Sequence, residues 1–198
     1  MYKGKRIGIV VPAYDEEPHI GKVLADMPDF VDAVYVVDDA SRDRTADIVR
    51  AFATHDGRVC PLSHAVNRGP GAALSTGYAR AMSDGMGIVV KVDGDNQMDL
   101  LELPRLLDPI ADGCADLAKG DRTSRREHLV GMSRWRRCGN RVLCRLTRLA
   151  VGNHHVRDTQ NGYTAISSDA LRIIGWHLYP YYGYLNQMLA WAHAHRLR

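Results

Sequence analysis

Apolar runs and helical periodicities alternate along the first three-fifths of the chain, with short polar connections between them. Residues 6–11 (RIGIVV) read as a buried strand, and residues 17–27 as a helix with Pro18 near its first turn, where the missing N–H is no loss. A second strand is expected over 31–37. A helix over 43–53 follows, with Ser41 or Asp43 as the N-cap of an amphipathic run through Ala46, Ile48 and Val49. A third strand over 58–63, a helix over 70–83, a fourth strand over 87–92, a helix over 102–111 and a strand over 115–119 continue the alternation. That order predicts an α/β fold, a Rossmann-type and mostly parallel sheet with helices on both faces, in a single domain spanning 1–198. Beyond it, residues 132–150 place apolar side chains at 132, 135, 142, 143, 146, 149 and 150 and arginines at 134, 136, 137, 141, 145 and 148. This spacing predicts an amphipathic basic helix with Gly139 as its weak point. An irregular stretch over 152–168 and a helix over 183–195 end the pattern.

Composition changes this picture little, and charge changes it more. The 198 residues suffice for one substantial core, and 45% hydrophobic content is ordinary for a soluble globular protein. No apolar run approaches the roughly 18–20 uncharged residues that span a bilayer, and residues 1–6 lead straight into a strand without a signal-peptide core. The chain is therefore expected neither to be exported by a leader nor to anchor itself. Cys60, Cys114, Cys138 and Cys144 form no Cys-x-x-Cys pair, so neither a disulfide framework nor a zinc site is indicated and a reducing cytosol is the natural compartment. The net charge of +3 hides an asymmetry: from Lys119 to Arg148 ten Lys or Arg face two acids, a local excess of +8 that leaves the remainder near −5. A basic block beside an acidic body implies an anionic partner. Six arginines without an acid in one helix point to anionic lipid headgroups, with Trp135 at the interfacial level. Nucleic acid fits less well, because Trp135 is the single aromatic interleaved with the arginines.

The chemistry concentrates where the strands end. After the fourth strand, Asp93, Asp95 and Gln97 stand on alternate positions, and strand alternation is expected to point their oxygens the same way. Hard oxygen ligands converging from one side suit Mg²⁺ or Mn²⁺ that also holds phosphate oxygens. After the first strand come residues 12–17 (PAYDEE), after the second 38–45 (DDASRDRT), and after the third 67–73 (NRGPGAA). In a parallel sheet all four segments lie on one edge, in one crevice. Tyr14 can stack on a base or ribose, Asp39 can accept from a base N–H or sugar hydroxyls, and the glycines let the backbone come close. The nine histidines read as surface or packing residues, since carboxylate and amide oxygens already account for a hard cation.

The ordered set VPAYDEE, VVDDASRDRT, NRGPGAA and DGDNQMD, followed by GDR and DTQNGYTAIS, resembles the inverting family 2 glycosyltransferases of GT-A fold. Within them it is most similar to the polyprenyl-phosphate branch, which includes dolichyl-phosphate mannose synthases and relatives using UDP-sugars. The resemblance covers residues 6–190. It implies nucleotide contacts at Pro12, Tyr14, Glu16, Val37, Asp39 and Asp93. It also implies a metal held by Asp93, Asp95 and Gln97, and a phosphate contact at Arg122. The same likeness around residues 158–167 tilts the donor towards UDP over GDP. Two departures matter. Ala40 replaces the family's usual glycine, a benign change if it avoids positive φ. Relatives also continue past the last helix into another strand and a basic loop that closes over the donor phosphates, whereas this chain stops at Arg198; either the chain is truncated or the closing lid is absent.

A hydroxyl acceptor needs a general base, which glycosyltransferases of this fold commonly supply as a carboxylate near the last helix. Here that region, 181–187 (YYGYLNQ), has no acid. A phosphate acceptor, with a second pKa of about 6, attacks already ionised. The missing acid and the basic block thus point to one acceptor, a polyprenyl phosphate at the cytoplasmic face of a membrane, with the protein bound peripherally. Asp158 is the remaining carboxylate of interest, facing the sugar or acceptor or else capping its own turn. Other readings are a hydroxyl-acceptor enzyme of the same family, a sugar nucleotidyltransferase and a non-catalytic nucleotide-sugar module. The nucleotidyltransferase is disfavoured because residues 14–17 are acidic where such enzymes carry a glycine- and lysine-rich loop.

Overall fold

The computed structural model describes residues 1–121, 139, 142, 144–145, 158–159 and 161–198. Among them six strands form one sheet: β1 (Ile7–Ala13), β2 (Ala33–Asp38), β3 (Val59–Ser63), β4 (Ile88–Lys91), β5 (Leu117–Lys119) and β6 (Thr164–Ser167), in the order β3-β2-β1-β4-β6-β5. The first four are parallel. β6 runs antiparallel to both its neighbours, pairing Lys91 with Thr164 on one side and Lys119 with Thr164 on the other. The helices described over their full length are α1 (Ile20–Ala25), α2 (Thr45–His55), α3 (Pro70–Ser83), α4 (Leu103–Ala111), α5 (Ser168–Ile174) and α6 (Tyr184–Ala194).

Alternation along β1 builds both cores. Ile7, Ile9 and Val11 face Val23 and Leu24 of α1, Val49 of α2 and Leu103 and Leu107 of α4, whereas Val10 joins Leu74 and Tyr78 of α3, Leu171 of α5 and Leu185 and Met188 of α6. A sheet covered on both faces needs near-continuous apolar strands, which is why β1, β2 and β4 read as runs rather than as polar/apolar alternation. Each fully buried Val, Ile or Leu contributes about 1.5–3 kcal/mol of transfer free energy.

The mostly parallel expectation holds for β1 to β5, and α3 occupies the expected 70–83 with Pro70 at its start. Three expectations need correction. Residues 152–168 are not wholly irregular, since they contain β6, and α5 follows it directly. α1 starts only at Ile20, because the residues before it are tied to the loop after β2. β4 ends at Lys91, and residues 94–95 form a turn, so strand alternation does not govern Asp93, Asp95 and Gln97. Most of the expected basic helix over 132–150 lies outside the described residues; of it, Gly139, Val142, Cys144 and Arg145 are helical, with Cys144 buried and Val142 exposed. Among the described residues no helix is long and apolar enough to cross a membrane.

Candidate active site

The parallel strands bring the residues after β1, β2, β3, β4 and β5 to one edge of the sheet. Because β6 runs the other way, the chain enters it from that same edge, so Asp158 to Tyr163 join the crevice from the opposite chain direction.

The loops after β1 and β2 are zipped together by reciprocal side chain to backbone hydrogen bonds. Asp15 N donates to Ser41 Oγ (3.0 Å), Glu16 N to Thr45 Oγ1 (2.8 Å) and Glu17 N to Asp43 Oδ2 (3.0 Å); in return Arg42 N donates to Asp15 Oδ1 (2.7 Å) and Arg44 N to Glu17 Oε2 (3.1 Å). Of the two expected caps of α2, Asp43 accepts from Thr45 N (2.9 Å), whereas Ser41 serves the neighbouring loop instead. Pro12 and Val37 lie side by side in the β1–β2 register, and Tyr14, just past the end of β1, is exposed. Ala40 does not avoid positive φ: it stands at +62°, so the substitution of glycine there is not benign.

Asp39 is buried and engaged by the protein itself. Its Oδ1 accepts from Arg68 N (2.9 Å) and contacts His64 Nδ1 (2.6 Å), and its Oδ2 accepts from Gly69 N (2.7 Å). The glycines of residues 67–73 admit protein backbone: Gly71 N donates to Pro180 O (2.6 Å), and a Cβ on Gly71 would overlap Tyr179 O. The start of α3 is therefore covered by the segment before α6, whose Tyr179, Tyr181 and Tyr182 are exposed.

Lys91, the last residue of β4, is buried, and its ammonium pairs with Asp93 Oδ1 and the Tyr184 hydroxyl of α6. Burial opposes its charge, but Asp93 and Tyr184 outweigh burial and raise the Lys91 pKa. Gly162 closes the other side, where a Cβ would run into Lys91 Nζ and stand 2.7 Å from Asp93 Oδ2. Asp95 Oδ1 accepts from Gln97 N (3.0 Å), which shapes the turn. Gly94 lies against Glu16 Cγ and Pro12 O, joining this turn to the first loop. Burial first, then the charge of Asp95 and, more weakly, that of Asp93, hold the Glu16 carboxyl above its usual range, with His19 opposing.

Among the described residues no three His, Cys, Asp or Glu side chains form a ready metal cage. The donor chemistry still fits a hard divalent cation: Asp93 and Asp95 put negative charge against Glu16, and diphosphate oxygens would add to an incomplete carboxylate set. On the far side, Gly120 N donates to Tyr163 O (2.8 Å) and Lys119 Nζ to Asn161 O, fastening the end of β5 to the approach to β6. Asp158 is buried there at 4% exposure, beside Thr159, whose N donates to Cys144 Sγ (3.4 Å). Arg122 lies outside the described residues. The region near α6 where a base would be sought, residues 181–187, holds no acid, and Gln187 within it accepts at Oε1 from Tyr179 N (2.6 Å).

Lys91, Tyr184 and His64 belong to this edge without standing among the residues expected there. A lysine ending an otherwise apolar strand was a signal for the first, and a polar residue at the same sheet edge as Asp39 for the last. Tyr184 carried none, because its pairing depends on where α6 packs.

Comparison with known proteins agrees with this geometry. Residues 8–175 match the model of glycosyl transferase family 2. A dolichyl-phosphate hexose transferase of Haloferax volcanii is 33% identical over 172 residues, covering 86% of this chain and 70% of that protein. An undecaprenyl-phosphate mannosyltransferase of Micrococcus luteus is 30% identical over 171 residues, 85% and 69% of the two chains. A UDP-N-acetylglucosamine–dolichyl-phosphate N-acetylglucosaminyltransferase of Methanococcus voltae is 28% identical over 183 residues, 86% and 72%. Among solved structures, glucosyl-3-phosphoglycerate synthase of Mycobacterium tuberculosis, in complex with Mn²⁺, UDP-glucose and glycerol 3-phosphate, superposes with a TM-score of 0.68 at 27% identity. The match covers 94% of this chain, which spans 64% of that one. The sheet, its crevice and the family match together establish that this chain is a GT-A-fold member of glycosyl transferase family 2.

Proposed function

We propose that this protein transfers a sugar from a nucleoside-diphosphate sugar to a polyprenyl phosphate, with inversion at the anomeric carbon. The observation that carries this reading is the meeting, on one sheet edge, of the acidic turn at residues 93–97 with the buried approach to β6 at Asp158, while the start of α6 offers an amide, Gln187, and no acid. Pro12, Tyr14, Glu16, Val37 and Asp39 would hold the nucleotide, Arg122 the diphosphate, and Asp93, Asp95 and Gln97 a divalent cation. Mg²⁺ or Mn²⁺ held there supplies positive charge against the departing diphosphate. Lys91 keeps one oxygen of Asp93 fixed through its ion pair. The acceptor phosphate oxygen attacks the anomeric carbon as the bond to the diphosphate breaks, and the electron pair leaves with the diphosphate. No proton has to be removed from the acceptor, so no base is needed in the segment 181–187. A UDP-linked donor is favoured by the likeness around residues 158–167 and by the UDP-sugar relatives. The acceptors named for the polyprenyl-phosphate relatives support work at a membrane surface. There the basic block between Lys119 and Arg148 would meet anionic headgroups on the cytoplasmic face.

The test pairs acceptors and variants. Turnover is measured with polyprenyl phosphate and with the matching polyprenol, using UDP- and GDP-sugars with Mg²⁺ or Mn²⁺. Only the phosphate should be glycosylated, and Asp95→Ala should lower turnover by about a hundredfold or more while the protein stays folded by circular dichroism. Equal use of the polyprenol would sink the acceptor assignment, and undiminished turnover in Asp95→Ala would sink the metal assignment.

A further inference from the structure

We propose that His64 is a positioning residue for the nucleotide edge: through the Asp39 carboxylate it fixes the backbone of Arg68 and Gly69, and so sets donor affinity rather than turnover. The inference rests on the reading that Asp39 belongs to the nucleotide site.

His64 is the first residue past β3, and its N–H donates to Asp38 O (2.9 Å), carrying the β2–β3 ladder one step beyond the strand. Its side chain is only 6% exposed and is held at both ends. Nδ1 lies 2.6 Å from Asp39 Oδ1, and Nε2 lies 2.9 Å from Thr76 Oγ1 on α3, a hydroxyl that also reaches Ala72 O (3.1 Å). A rigid imidazole gripped at both nitrogens cannot turn about its ring axis, so the Asp39 oxygen it touches is fixed as well. The carboxylate then faces Arg68 N at 2.9 and 3.1 Å and Gly69 N at 2.7 Å. The link thus runs from α3 through the ring to the carboxylate and on to the backbone of the loop entering α3. A carboxylate has about four acceptor positions, and here His64, Arg68 and Gly69 take most of them, so its orientation is set by protein donors before any ligand arrives. Without the Nδ1 donor a buried carboxylate is left short of a partner, and it can recover one only by turning away from the loop.

The geometry separates the two nitrogens, and so can a pair of variants. The side-chain amide of Asn lies close to the position of Nδ1, whereas that of Gln reaches the position of Nε2. Binding of UDP with Mg²⁺ is measured by calorimetry alongside melting temperature and steady-state kinetics. In His64→Gln, UDP affinity should fall about tenfold, with the donor KM raised in proportion and kcat nearly unchanged. His64→Asn should restore affinity to near the wild-type level. A packing role alone would make the two variants alike, and equal affinities in both would overturn the inference. Asp39→Ala separates the levels of the argument. If it leaves UDP affinity unchanged, the nucleotide reading itself fails. If it lowers affinity while His64→Gln does not, only the role of His64 fails. The wild-type protein gives a check independent of variant folding. The Nδ1–H of His64, held against a buried carboxylate, should give a low-field proton resonance already in the ligand-free protein, and a His64 ring proton at an ordinary shift overturns the proposal.

Discussion

Ala40, in the loop after β2, holds a left-handed backbone conformation at φ +62° that an L-residue adopts at a cost of about 1–2 kcal/mol. Glycine adopts it freely but loses roughly 0.5–1 kcal/mol more backbone entropy on folding. The balance favours glycine, and Ala40→Gly should raise the urea midpoint by an amount worth about 0.5–1 kcal/mol without changing the denaturant slope; a lower midpoint would show that the loop relaxes the strain some other way. Glu16 carries a strain of another kind. Burial, Asp95 and Asp93 raise its carboxyl pKa in the folded protein above the unfolded value, so the folded state holds the proton more tightly. Stability attributable to Glu16 therefore falls as pH rises from the ordinary carboxylate range through the raised pKa, and above that pKa the penalty is fully present. Glu16→Gln should melt higher than wild type near neutral pH in the absence of divalent cation. The difference should shrink as pH falls below the ordinary carboxylate range, and a gap independent of pH would remove the electrostatic explanation.

Among the elements, α3 and the segment before α6 depend on each other through one missing methyl group. A Cβ on Gly71 would overlap Tyr179 O and stand 2.9 Å from Pro180 O, backbone atoms that cannot step aside as a flexible side-chain tip can. Gly71→Ala should cost about 1–3 kcal/mol in urea unfolding; an unchanged midpoint would mean that residues 179–180 move without penalty. The parallel part of this architecture was legible because β1, β2 and β4 are apolar runs and amphipathic segments follow them. Pro70 marks the start of α3, whereas the N-cap of α2 is Arg44, one residue past the expected Asp43, which instead accepts from Thr45 N. β6 was not legible, because Thr164–Ser167 is only four residues long and α5 begins with no turn between them. Ser167 ends the strand and also caps the helix, accepting from Ala170 N (3.1 Å), so the boundary has no residues of its own. The site was legible as far as parallel topology fixes it, through the loops after β1 to β4. The direction of the acidic side chains was not, because β4 stops at Lys91 and the metal-type motif sits in a turn where alternation has no force.

For the whole molecule, the sheet grades from a doubly flanked centre to a thin edge. β1 lies between β2 and β4 with Ile7, Ile9, Val10 and Val11 fully buried, whereas β5 has three half-buried residues and, among the described strands, pairs with β6 alone. Hydrogen exchange should follow this grading: the amides of β1, β2 and β4 should exchange slowest, at rates tracking global unfolding, and those of β5 fastest among the strands. Equal protection in β5 and β1 would mean that the edge opens only when the entire domain does. The loops after β1 and β2 hang from the slow centre, while the approach to β6 and the end of β5 belong to the side expected to open first.

The antiparallel placement of β6 also sets a timetable. A growing polypeptide releases β5 well before β6, yet β6 is the strand that must slot between β4 and β5 for the sheet to extend. Until Thr164–Ser167 has left the ribosome, β4 has an open flank and Leu117–Lys119 has no strand to lie against. During synthesis β1 to β4 can therefore assemble while β5 waits, and the last strand to join the sheet carries in the residues just before Thr164 as it arrives.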